Sequence, residues 1–141
     1  MQLPESALVV KKSTIPNAGK GLFTKVDVVR GTRIVEYVGK ITTWADADYK
    51  NGSNPYIFYV NKNHVIDGST DKKSLGRYAN DARGLTLIEG LRNNCKFEKD
   101  GLRVYIVAMK KIAAGDELLV GYGRDYWNVI RENMGKEKKK K

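Results

Sequence analysis

The residues of this 141-residue chain that could do chemistry lie in short, widely spaced segments. Pro16-Asn17-Ala18-Gly19-Lys20-Gly21-Leu22-Phe23 reads as a turn feeding a strand. Its two glycines permit positive φ and let the backbone approach a ligand with no side chain between, although a lone Gly-x-Gly is more often a plain β-turn. Tyr37 lies in a run rich in β-branched residues, where an ordinary sheet aromatic is the simplest reading. Cys95 has no histidine close in sequence to make it a thiolate, so it reads as a small buried hydrophobe. His64, the single histidine, reads as a strand or turn residue without a chemical role. One histidine and one cysteine leave too few soft ligands for a structural zinc site and exclude an internal disulfide. Tyr126 and Trp127, close to Tyr122, offer rings that either stack on a ligand or pack a helix onto a sheet.

The elements that must position these residues are mostly strands. Short apolar runs separated by Gly, Asn and Asp predict strands at Ala7 to Lys12, Leu22 to Lys25, Arg33 to Thr42, Tyr56 to Val60 and His64 to Asp67. Asn94 to Glu98, Arg103 to Met109 and Glu117 to Val120 complete the set. Alternation along Arg33 to Thr42 assigns Ile34, Glu36 and Val38 to one face, and Val35, Tyr37 and Gly39 to the other. Asn61-Lys62-Asn63 reads as a hairpin turn. The run Val104 to Met109 has almost no polar alternation, which predicts a strand covered on both faces. Thr43 to Asp48 predicts a short helix with an acidic first turn, and Asp125 caps a second expected helix over Tyr126 to Arg131. On these signals the chain is a small β-rich domain with a C-terminal helix.

Composition narrows the class. The length fits one domain, over residues 1–135, followed by a lysine-rich tail at 136–141 that is expected to be disordered. That tail holds +4 of the formal net charge of +10. The basic surplus makes contact with nucleic acid or a nucleosome an open reading. No apolar run approaches the length of a membrane span, and no secretory leader is visible. An intracellular protein, cytoplasmic or nuclear, is expected, and its oligomeric state is open.

In their order, Gly19-Lys20-Gly21-Leu22-Phe23, Glu36-Tyr37-Val38-Gly39, Arg77-Tyr78-Ala79-Asn80-Asp81, Asn94-Cys95 and Gly115-Asp116-Glu117-Leu118-Leu119-Val120-Gly121-Tyr122-Gly123 resemble the motif series of SET-domain protein lysine methyltransferases. The resemblance runs from about Val9 to Trp127. It implies a mainly β SET fold of several short curved sheets around a knot-like C-terminal crossing, which is rare among folds. It also implies S-adenosylmethionine as cofactor and a lysine-bearing protein or peptide, possibly a histone, as substrate. Carried over by position, Lys20, Gly21, Leu22, Tyr78, Asn80 and Asp81 would bind the cofactor, and Tyr126 or Trp127 would stack on its adenine. Tyr37, Phe97 and Tyr122 would wall the lysine channel, with Tyr122 as the catalytic tyrosine. Asp81 stands where the family usually has histidine, and the segment Arg83 to Asn93 is longer than usual. Phe97 stands where some members carry a tyrosine that limits methyl transfer, which implies progress past monomethyl-lysine. Many members close the site with a cysteine-rich zinc segment, for which this chain lacks the cysteines.

The implied chemistry follows from lysine itself. At its ordinary pKa of ~10.4, only about one amine in a few thousand is neutral at pH 7. An aromatic, apolar channel beside a sulfonium favours the neutral form. Tyr122, with its own pKa near ~10, suits orientation of the amine better than general-base work. The alternatives are a SET-like binding module without catalysis and a basic nucleic-acid-binding domain.

Overall fold

The computed structural model describes residues 2–16, 18–46, 57–69, 74–82 and 90–121. Among the described residues nine strands are formed: β1 (Leu8–Lys12), β2 (Lys20–Thr24), β3 (Arg33–Glu36), β4 (Lys40–Thr42) and β5 (Ile57–Asn61), then β6 (His64–Asp67), β7 (Cys95–Asp100), β8 (Arg103–Ala108) and β9 (Glu117–Leu118). They make three small antiparallel sheets with orders β1-β2-β9, β3-β8-β7 and β4-β6-β5. Single turns of 3-10 helix precede β1 and occupy Leu75–Tyr78.

Of the apolar run Val104 to Met109, the residues Val104 to Ala108 are all buried in the middle strand of their sheet, whereas Met109 lies beyond the strand and is exposed. For residues 104–108 that is the placement the missing polar alternation predicts. Ile34 and Ile106 from this sheet join Leu22, Val28, Ile112, Leu118 and Val120 in the main core, all at most 2% exposed. Each such side chain contributes roughly 1.5–3 kcal/mol on removal from water. The Asn61-Lys62-Asn63 turn also forms as read, with Asn61 Oδ1 accepting the Asn63 N–H at 2.8 Å.

Two expectations are corrected. The predicted strand over residues 33–42 is two strands in different sheets, β3 and β4. A register irregularity between Arg33 and Val35 removes the simple alternation, so Ile34 and Val35 are both buried. Gly39 lies in the break, so close to the Asp67–Gly68 backbone that a Cβ has no room. The second correction concerns Thr43 to Asp48. Thr43 to Asp46 forms a turn closed by Thr43 Oγ1, which accepts the Asp46 N–H at 3.3 Å. Ala47 and Asp48 lie outside the described residues, as do Tyr56, the expected C-terminal helix and the lysine-rich tail.

No helix among the described residues is long and apolar enough to cross a membrane.

Candidate functional site

The C-terminal strand is the element on which the separate segments meet. Leu22 of β2 pairs with Leu118, and Phe23 with Glu117. One residue on, the Leu119 carbonyl accepts N–H bonds from both Asn94 (3.0 Å) and Cys95 (2.9 Å). Val120 turns its N–H to the other side, donating to the Asn80 carbonyl at 2.8 Å. Isolated parallel bridges Asn80↔Leu119 and Cys95↔Val120 record the same flanking. Residues 119–120 therefore run between two segments distant in sequence, as the expected knot-like crossing requires.

Asn94 fastens this crossing. It is buried, its Nδ2 donates to the Glu117 carbonyl at 2.9 Å, and its Oδ1 accepts the Leu119 N–H at 2.9 Å. One side-chain amide thus satisfies two backbone groups of the incoming strand, which an apolar residue cannot do. Cys95 is 1% exposed, its thiol donating to Asn94 Oδ1 at 3.2 Å, and burial pushes its pKa up to about 12. A thiol held neutral in this way is inert, as its sequence context suggests.

Lys20, Gly21 and Leu22 form the first half of β2, beside this crossing. Lys20 is exposed, whereas Leu22 is wholly buried in the core, so its side chain cannot face a ligand. Asn80 is half-buried and its Nδ2 donates to the Lys20 carbonyl at 3.0 Å, joining the two predicted cofactor segments. Asp81 is buried and Asn93 spans it: Asn93 Nδ2 donates to Asp81 Oδ1 at 2.9 Å, and Asn93 Oδ1 accepts the Ala82 N–H at 2.8 Å. Tyr78, on the 3-10 turn, packs against the main core with the Arg77 guanidinium 5.3 Å from its ring centre.

The aromatic side of the region is separate and apolar. Tyr37 is buried against Phe97, edge to face with ring centres 5.8 Å apart, and against Phe58 at 6.2 Å. Phe58 and Phe97 lie 4.8 Å apart in the same manner, close to the preferred geometry of aromatic pairs. The Tyr37 N–H donates to the Val104 carbonyl at 2.7 Å, and Ser74 Oγ donates to the Val38 carbonyl at 2.8 Å. These bonds seat the tyrosine on β8 and on the segment leading to Tyr78.

Of the residues expected at the site, Tyr37 and Phe97 meet in one cluster, and Lys20, Gly21 and Asn80 in another, beside Glu117, a motif residue for which no site role was expected. Tyr122, Tyr126 and Trp127 lie outside the described residues. Sequence reasoning missed four contributors: Phe58, Asn93, and the Ser13-Thr14 pair that holds Glu117. Phe58 was readable only as a strand residue. The Asn93-Asn94 doublet carried a signal, two adjacent amides at a chain crossing, of which one was read.

Comparison with known proteins agrees with this geometry. The SET domain profile matches residues 19–123. The chain belongs to the SET-domain family. It is 32% identical over 133 residues to the histone-lysine N-methyltransferase set-17 of Caenorhabditis elegans, covering 94% of this chain and 46% of that protein. Similarity to the N-lysine methyltransferase KMT5A of Xenopus tropicalis is 29% over 128 residues, covering 81% of this chain and 36% of that protein. The methyltransferase domain of human PR domain-containing protein 2 superposes with a TM-score of 0.62 at 25% identity, covering 86% of this SET domain and 79% of that chain. The chain spans about half or less of the length of these two curated relatives.

The donor set suits the amino-acid end of S-adenosylmethionine. Around Lys20 to Leu22 and Asn80 lie an exposed ammonium, a side-chain amide and main-chain groups at the start of β2, before its pairing with β9 begins, able to bind a carboxylate and an ammonium.

Proposed function

We propose that this SET domain transfers a methyl group from S-adenosylmethionine to a lysine side-chain amine of a protein, with a histone as the first candidate substrate. The observation that supports this most is the meeting of β2, Asn80 and Asn94 on the last described strand, which leads directly to Tyr122. The names of the relatives, histone-lysine and N-lysine methyltransferases, point the same way.

The cofactor supplies, when bound, a methyl group on a positively charged sulfur. The chain's own residues do the rest. Lys20, Asn80 and the main chain of Gly21 and Leu22 bind and orient the amino-acid end. Asp81 contributes its main chain, its carboxylate being engaged by Asn93. Tyr37, Phe58 and Phe97 exclude water from the target amine, which favours the neutral lone pair that attacks. The Tyr122 hydroxyl orients that amine and holds no proton in transit, so its contribution is positional.

Tyr122→Phe is expected to lower turnover at least ~100-fold, the size of a lost transition-state contact, with cofactor affinity nearly kept. Labelled S-adenosylmethionine with histones, followed by mapping of the modified residue, measures both activity and target. A protein that binds the cofactor tightly and labels no substrate would favour a binding module, and one that binds none would end the cofactor reading.

A further inference from the structure

Glu117 is buried, yet the proposed mechanism gives it no task. Its carboxylate bonds to two other segments of the chain. Oε1 accepts the Thr14 N–H at 2.9 Å and the Thr14 hydroxyl at 2.6 Å. Oε2 accepts the Ser13 hydroxyl at 2.7 Å and the Asn80 Nδ2 at 3.4 Å. Ser13 is itself fixed, since its Oγ accepts the Ile15 N–H at 3.0 Å. No ion pair to Glu117 is formed among the described residues, so hydroxyl and amide donors alone hold the carboxylate.

Gly21 completes this arrangement. A Cβ built there collides with Glu117 Oε2 and stands 3.0 Å from Glu117 Cδ and 3.2 Å from Ser13 Cβ. The space a side chain would take at Gly21 is therefore filled by the carboxylate. This revises the sequence reading, in which the missing Cβ serves approach to a ligand.

Resting on the cofactor reading above, we propose that Glu117 is the positioning residue of the cofactor-binding edge, and that Gly21 is glycine in order to admit its carboxylate. The physical reason is one of constraint. Lys20 and Gly21 lie at the start of β2, beyond the two register pairs that tie this strand to β9. Asn80 is bonded both to the Lys20 carbonyl and to Glu117, so the carboxylate sets where Asn80, and through it Lys20, can sit. A carboxylate that accepts several charge-assisted bonds within a buried network is suited to such fixing. Glu117 touches neither cofactor nor substrate in this account.

The test is a double-mutant cycle read by calorimetric titration with S-adenosylmethionine and by thermal melting. Glu117→Gln keeps the shape and both Thr14 bonds but turns an amide donor toward Asn80 Nδ2, and is expected to weaken binding by about three- to tenfold, less than the loss of the whole side chain. Glu117→Ala is expected to weaken binding by at least about tenfold, as is Gly21→Ala, by the usual size of a lost charge-assisted network bond. The double variant is expected to bind no worse than Glu117→Ala alone, because the collision needs the carboxylate. A purely structural role would lower the melting temperature while leaving the affinity of the folded protein unchanged, and that result overturns the proposal. Fully additive losses overturn the Gly21–Glu117 fit. Should Glu117→Ala fail to fold, Glu117→Asp, whose shorter side chain withdraws from Gly21, serves in the same cycle: there Gly21→Ala must become mild. A wild type that binds no S-adenosylmethionine removes the cofactor reading itself, and with it this role.

Discussion

The crossing at Asn94 and Glu117 and the ring cluster of Tyr37, Phe58 and Phe97 are neighbouring parts of one domain built on opposite physics. The crossing is a polar network of specific partners: Asn94 serves two backbone groups, and Glu117 collects four donors, two on each oxygen. The ring cluster is held by packing of three aromatics, two pairs edge to face and the Tyr37–Phe58 pair tilted, with centre separations of 4.8 to 6.2 Å. Polar networks of the first kind fail abruptly, because a missing partner leaves a desolvated group unpaired. Apolar clusters respond more gradually to changes in volume. The difference suits the two duties proposed for them. A cofactor edge needs a single geometry, whereas an amine that gains methyl groups needs a channel whose size sets how many fit.

That contrast can be broken most directly at Asn94. Asn94→Ala strands the Leu119 N–H and the Glu117 carbonyl, at about 1–3 kcal/mol for each buried unsatisfied group. Urea denaturation is expected to show a loss of roughly 3 kcal/mol or more, and a loss below about 1 kcal/mol would mean that the crossing does not rest on this amide.

A smaller and different effect is expected in the ring cluster. Phe97→Tyr adds one hydroxyl where the amine is proposed to lie, with a stability change under about 1.5 kcal/mol. Its signature is chemical: the ratio of monomethyl to higher products rises by about tenfold in mass spectra, the usual discrimination from one small group in a pocket. An unchanged product ratio would remove Phe97 from the channel wall.

The smallest effect sharpens the boundary between the two regions. Cys95 bonds to Asn94 and lies in the main core, with its thiol pushed up to about 12 from 9.0 in the open chain. Labelling with a thiol reagent at pH 8 is expected to be negligible in the native protein and fast in denaturant. The unfolded thiol ionises first, so its contribution to stability is full below pH 9 and declines as pH rises toward 12. Rapid native labelling would show the crossing to be open.

Much of this was legible in the residues. The doubly covered strand at 104–108, the Asn61 to Asn63 turn and the inert Cys95 follow from local composition, which carries periodicity and turn chemistry directly. The motif order resembles that of the SET-domain family, and the profile match over residues 19–123 agrees.

What failed locally failed for non-local reasons. Residues 33–42 carry the composition of one strand, but Gly39 packs so tightly on the backbone of residues 67 and 68 that the run divides between two sheets. Composition cannot show a contact made across nearly thirty residues of chain.

The sequence alone determined the strand-rich class, the absence of cysteines for zinc, and a motif series that names a family. Tertiary structure alone decided that Phe58 joins Tyr37 and Phe97, that Asn93 secures Asp81, and that Glu117 fills the space over Gly21. The reason is physical. Propensity and pattern act over a few residues, whereas a buried carboxylate meets its donors only after a separation of 104 positions, Ser13 to Glu117, has been closed by the folded chain.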